Sequence, residues 1–159
     1  MGAPPEGSEQ VRRATVADAP AAARLLHDFQ TGFGEPVPEL EVLSERVAGF
    51  IEEGHAVFLL VGDGPDGIAE LRVRPSLMLD GLEAYLEELY VAPARRGLGL
   101  GRALLEGAMD AARAEGAVYM YLGADEDDGP ARFLYESKGF TNRSSQPDGP
   151  LLFFYERDL

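Results

Sequence analysis

The sequence predicts an α+β fold in a single domain, with a central mixed, mostly antiparallel sheet of about six to seven strands and helices on both faces. Short apolar runs bounded by turn residues alternate with stretches of helical periodicity along the chain. Two neighbouring apolar runs, Ala56 to Val61 and Ile68 to Arg74, are separated by a Gly-Asp-Gly-Pro-Asp-Gly cluster, which is hairpin spacing. A third strand pattern runs straight into a glycine-rich loop and an amphipathic helix.

The elements follow in order. Residues 1–9 hold two prolines and two glycines and read as a flexible N-terminal tail, leaving 10–159 as the folded domain. Val11 to Arg13 reads as a short first strand, and Asp18 stands where a helix N-cap is expected, before an alanine-rich helix reaching about Gln30. Glu39 to Glu53 carries Leu40, Leu43, Val47, Phe50 and Ile51 at helical spacing. The hairpin comes next, then Pro75 to Gly81 as a turn and Leu82 to Val91 as a strand. Ala103 to Glu115 continues the helix opened by the loop, with Gly116 as its C′ residue, and Val118 to Leu122 is another strand. Pro130 to Ser137 is a short helix, Gly139-Phe140 begins a further strand, and Leu151 to Tyr155 forms the last one.

A chain of 159 residues with 45% hydrophobic and 26% charged residues is long enough to bury a substantial core. No apolar run approaches the ~20 residues a bilayer span needs, so no membrane association is expected. The absence of cysteine and of a visible secretory signal predicts a cytoplasmic protein without disulfides, and no metal site is expected. A net charge of −14 disfavours nucleic acid and favours cationic partners. Arg95, Arg96 and Arg102 are a local exception to that field.

Glu87-Glu88-Leu89-Tyr90-Val91-Ala92-Pro93-Ala94-Arg95-Arg96-Gly97-Leu98-Gly99-Leu100-Gly101-Arg102 is phosphate-binding architecture. Glycines at alternate positions let an anion approach the backbone, and the unpaired N–H groups of a first helical turn point outward with the positive end of the helix dipole behind them. A dinucleotide fingerprint is excluded, because its third glycine would fall on Arg102 or Leu104. A nucleotide-triphosphate loop is excluded as well: Gly101-Arg102-Ala103 supplies neither its lysine nor its hydroxyl.

Arg96-x-x-Gly99-x-Gly101, preceded by a Leu-Tyr-Val strand and followed by Ala131-x-x-x-Tyr135-x-x-x-Gly139-Phe140, resembles the GCN5-related N-acetyltransferase (GNAT) superfamily. The resemblance covers roughly Glu83 to Phe140. It implies acetyl-CoA as the acetyl donor, with the diphosphate held by Arg96, Gly97, Leu98, Gly99, Leu100, Gly101 and Arg102 and the thioester beside the backbone of Leu89, Tyr90 and Val91. It also implies direct attack on the thioester by a primary amine.

An alkylammonium has a pKa near ~10.4, so at neutral pH less than about one part in a thousand is free amine, and a carboxylate or water relay is useful. Tyr85-Leu86-Glu87-Glu88-Leu89-Tyr90-Val91-x-Pro93 is similar to the strand of polyamine N-acetyltransferases in which the first acid is the proposed base, which implies Glu87 here. Glu88 is then a neighbour that binds substrate ammonium or faces solvent. On a regular strand the two point to opposite faces, unless a bulge redirects one. The structural alternative is that both are sheet-face charges paired with Arg72 or Arg74, worth little if exposed. Tyr135 matches the tyrosine that in this family protonates the departing thiolate; its structural alternative is packing of the short helix. Asp128 stands where the family often has a cofactor-binding asparagine, and a helix cap is its expected role. His27 and His55 read as a helix-surface residue and a strand-entry residue.

The acceptor is expected to be a small cationic amine such as a polyamine, an aminoglycoside or a lysine-like metabolite, given Asp125 to Asp128 and Glu35, Glu39 and Glu41 in addition to the overall charge. The alternatives are acetylation of a protein N-terminus or lysine, and a non-catalytic acyl-CoA-binding module. Superfamily members are often dimers, so a homodimer is also an expectation.

Overall fold

The structure is a computed structural model and describes residues 10–159; the expected tail over residues 1–9 lies outside them. Contacts divide the chain after Met120 into two compact units.

The first unit carries the sheet. β1 (Arg12–Arg13) pairs antiparallel with β2 (Val57–Val61), β2 with β3 (Gly67–Pro75), and β3 with β4 (Leu82–Val91). The order is β1-β2-β3-β4-β5, with β5 at Ala117–Leu122. The expected hairpin forms with Val61 opposite Gly67, and β4 has the predicted bounds.

One face of the sheet is covered by α1 (Ala19–Gly32) and α2 (Leu40–Glu53). Their periodic apolar residues meet the matching period of the strands: Leu25, Leu26 and Val47 are buried with Phe58, Leu60, Ile68 and Tyr90. α3 (Leu100–Ala114) packs on β2, β3 and β4 and buries Leu104, Leu105 and Ala108. Burying each such leucine contributes roughly 1.5–3 kcal/mol relative to exposure, so this packing, rather than propensity alone, holds the helix on the sheet.

Asp18 occupies the N-cap position of α1 but makes no side-chain cap to it. Its carboxylate instead takes both terminal nitrogens of Arg12 at 2.8 Å and the Thr15 amide at 2.8 Å, tying β1 to the 3₁₀ turn over Val16–Asp18. The bidentate, charge-assisted pair turns the carboxylate toward β1 rather than toward the amides of α1.

Between β3 and β4 the register slips by one residue. Glu70 is opposite Glu88, while the adjacent Leu71 is opposite Leu86, which leaves Glu87 as the extra residue of a β-bulge.

The second unit, Tyr121 to Leu159, contains α4 (Gly129–Ser137). As its spacing predicts, Asp128 caps it, accepting from the Ala131 amide at 3.1 Å. The two further strands expected from Phe140 and over Leu151–Tyr155 do not form as named strands, so the sheet has five members rather than six or seven. In their place stands an isolated antiparallel bridge, Arg143 opposite Leu151, with the Ser144 amide donating to the Pro150 carbonyl and the Leu152 amide to the Asn142 carbonyl. Pro147 and Pro150 have no N–H to extend a ladder, and Leu151 to Tyr155 is exposed. Apolar composition alone does not make a strand without a paired backbone.

Candidate active site

The site grows from the bulge. On β3, Glu70 and Arg72 are two residues apart and share one face of the sheet. Arg72 approaches Glu70 at 3.3 Å and Glu87 at 3.3 Å, so Glu87 lies on that face too. Glu88 shares it as the cross-strand partner of Glu70. A regular strand would have put Glu87 and Glu88 on opposite faces. The extra residue resets the alternation and brings Glu70, Glu87 and Glu88 together on the side covered by α1 and α2.

The three carboxylates have different surroundings. Glu87 is exposed, and its pairing with Arg72, foreseen among the structural alternatives, is of the half-exposed kind worth about 0–1 kcal/mol. Glu88 is half-buried and accepts a 2.8 Å hydrogen bond from Nε2 of Gln30 on α1. Burial, reinforced by the charges of Glu70 and Glu87, pushes its carboxyl up to about 7, with the Gln30 hydrogen bond opposing. Glu70 is 7% exposed, the one charged side chain buried to that degree among the described residues, and burial raises its carboxyl against the pull of Arg72.

Aromatic contacts close the same face. Phe29 of α1 stacks on Tyr90 at 5.0 Å, and the Arg72 guanidinium lies 5.0 Å from the Phe50 ring centre on α2. Arg96 reaches back along the strand, donating from Nε to the Val91 carbonyl at 3.0 Å with its guanidinium 5.8 Å from the centre of the Tyr90 ring. Tyr90 therefore touches both the helical cover and the loop.

The loop has the shape the glycines imply. Gly97 and Gly99 have φ of +77° and +83°, and nothing lies within 4 Å of where a Cβ would stand on either. This is left-handed backbone that glycine adopts without strain, facing open space. Gly99 is the N-cap of α3, and the first turn closes with the Ala103 amide donating to the Gly99 carbonyl at 3.0 Å. Outside α3, no hydrogen bond from the amides of Gly97 through Arg102 to a protein carbonyl is found among the described residues. Arg95 pairs with Asp66 at 3.2 Å and Arg102 with Glu106 at 3.2 Å. The cradle thus offers amides and a helix dipole to an anion, and a diphosphate fits that donor set.

In the second unit, Tyr135 is buried on α4, its ring edge-on to Phe140 at 6.2 Å. Among the described residues, no group of three His, Cys, Asp or Glu is arranged to hold a metal ion, and no helix is long and apolar enough to cross a membrane.

Sequence reasoning did not reach Glu70 or Gln30. A signal for Glu70 was present, since it interrupts the apolar strand Ile68-Ala69-Glu70-Leu71 in phase with buried Ile68. Nothing local marked Gln30, whose role depends on where α1 docks.

A strand bearing carboxylates that leads directly into a glycine-opened helix N-terminus is the arrangement that the resemblance to acetyl-CoA-dependent transferases implies. The chain belongs to the acetyltransferase (GNAT) family, whose model matches residues 22–140, and it is an N-acetyltransferase. A crystallographically solved chain from Arthrobacter sp. FB24, assigned as an acetyltransferase, is 39% identical, with a TM-score of 0.87 over 100% of both chains. The uncharacterised N-acetyltransferase YhfO of Bacillus subtilis is 26% identical over 82% of this chain and 88% of its own. Aminoglycoside N(6')-acetyltransferase type 1 of Stenotrophomonas maltophilia is 32% identical over 82% of this chain and 84% of its own.

Proposed function

We propose that the chain moves an acetyl group from acetyl-CoA to the primary amine of a small cationic acceptor. The observation that carries this reading is the grouping of Glu70, Glu87 and Glu88 on one sheet face, on the strand that feeds the glycine loop. The aminoglycoside specificity in the name of the Stenotrophomonas relative supports a polyamine nucleophile carrying several positive charges. The acidic net charge of −14 supports it too, by favouring cations over much of the surface.

Acetyl-CoA supplies an electrophilic thioester and a thiolate leaving group. The amides of Gly97 to Arg102, with Arg96, hold its diphosphate, and the main chain of Leu89, Tyr90 and Val91 holds the thioester carbonyl. Glu88, rather than Glu87, is the base: a carboxylate that titrates near neutrality accepts a proton from an ammonium with far smaller mismatch than one in the ordinary range. Glu87, exposed and paired with Arg72, attracts the substrate cation. Glu88 takes one proton from the ammonium, the freed amine forms the C–N bond as the C–S bond breaks, and the further proton that the nitrogen sheds on becoming an amide returns through solvent to the phenolate left when Tyr135 protonates the sulfur. The phenol of Tyr135 gives its proton to the departing sulfur.

Thiol release from acetyl-CoA, measured over polyamines, aminoglycosides, amino acids and peptides with free N-termini, tests the reading. Turnover concentrated on polyamines or aminoglycosides is expected. Turnover only on peptides would make the acceptor a protein, and binding without turnover on any amine would make the chain an acyl-CoA-binding module.

A further inference from the structure

Glu70 takes no proton and holds no substrate in the proposed reaction, yet it is the most deeply buried charged side chain among the described residues. Burial of a carboxylate is costly unless something uses or neutralises it. Arg72, its cation, lies at 3.3 Å and divides its attention with Glu87 at the same distance. Directly across the ladder is Glu88, on the same face, and directly opposed cross-strand residues have Cβ atoms only ~4.5–5.5 Å apart. The bulge immediately beyond this pair fixes the register, because a slip by one residue would turn Glu88 away.

We propose that Glu70 is a positioning residue for Glu88, its buried carboxyl setting the proton occupancy of the Glu88 carboxyl from across the β3–β4 ladder. The proposal rests on Glu88 being the base. Two carboxyls held this close cannot both ionise freely, so the ionisation of one delays that of the other. Among the described residues, the titratable and charged groups on this face around Glu88 include Glu70 and, two pairs along, Arg72 from β3; Tyr85, Glu87 and Tyr90 from β4; and from α1 the neutral Gln30 accompanies them. α2 contributes the apolar ring of Phe50 behind Arg72. Glu70 is thus the buried carboxyl in direct opposition, and Gln30 donates a hydrogen bond to Glu88 without adding charge.

The test is a carboxyl ¹³C NMR titration of the full chain labelled at glutamate, with the Glu88 resonance assigned by its loss in Glu88→Gln. In the parent, the Glu70 resonance should show a second inflection at the pH where Glu88 titrates. In Glu70→Gln the Glu88 transition should fall by about one pH unit, while Glu70→Asp, which keeps the charge, should leave it raised. An unmoved Glu88 transition in Glu70→Gln overturns the role of Glu70. If that variant does not fold, absence of the second inflection in the parent overturns it equally. The base assignment fails separately, by undiminished turnover of spermidine or kanamycin in Glu88→Gln, whichever the parent accepts.

Discussion

Glu70 and Glu88 are cross-strand partners at the point where the β3–β4 ladder slips, and the slip leaves Glu87 without an opposite number. One extra residue in a backbone ladder thereby converts two acids of opposite facing into neighbours. Glu87 keeps the cation Arg72 and the solvent; Glu88 keeps Gln30 and the neutral-range proton.

Glu88→Gln should lower turnover on the order of 10²–10³-fold while leaving acetyl-CoA affinity intact, because the amide keeps the shape and loses the basic site. In the parent, the base works only when ionised, so kcat/KM should rise with pH and level off above about 7. Stopped-flow or steady-state thiol release from pH 5.5 to 9 reads both, and the limb near neutrality should vanish in the variant. In Glu87→Gln the limb should remain but move to lower pH, because the Glu87 charge that helps raise Glu88 is gone, and KM should rise.

Gly99→Val puts a branched side chain into the open space beside the loop and demands φ near +83° from a β-branched residue. The strain costs about 1–2 kcal/mol, which a fold of this size tolerates, whereas the cradle is blocked. Calorimetry should show acetyl-CoA affinity reduced at least about tenfold, with a cooperative thermal melt retained. Unchanged affinity would mean that the diphosphate binds elsewhere.

Tyr135→Phe preserves the buried ring and its edge contact with Phe140 and removes only the hydroxyl. Turnover should fall on the order of 10²-fold with little change in acetyl-CoA affinity if that hydroxyl protonates the leaving sulfur. Equal rates would assign Tyr135 to packing.

Stability should respond to pH with opposite signs at two places. Hydrogen bonding from Arg12, and then from the Thr15 amide, holds the Asp18 carboxyl well below its usual range, so its contribution is present above the unfolded value near ~4 and is lost as pH falls further. Glu88 is raised by burial, so the folded state favours its protonated form, and stability declines as pH rises from ~4.5 through about 7. Urea titrations at pH 5 and pH 8 should show the decline in the parent and a smaller one in Glu88→Gln. Asp18→Ala should cost about 1 kcal/mol at neutral pH by untying Arg12 and Thr15.

Much of the fold was legible because it is written in local periodicity. Leu82–Val91, Leu40–Glu53 and the hairpin could be bounded from apolar spacing and turn residues. The alternate glycines marked a loop that an anion can approach before a helix, and the structure gives Gly97 and Gly99 the left-handed backbone that few other residues adopt without strain. Leu151 to Tyr155 misled for the complementary reason: its composition favours a strand, but a strand exists only where another backbone pairs with it.

The sequence by itself determined the family, the glycine-opened helix N-terminus and the presence of two adjacent acids on β4, all set by residues close together in the chain. Tertiary structure alone decided which way those acids face, because the bulge at Glu87 is a property of pairing with β3. It also decided which acid is buried, because Gln30 comes from α1, far away in sequence. Register and docking are set by non-local hydrogen bonds and apolar contacts, and they convert two like side chains into one exposed ion-pair partner and one carboxyl titrating near neutrality.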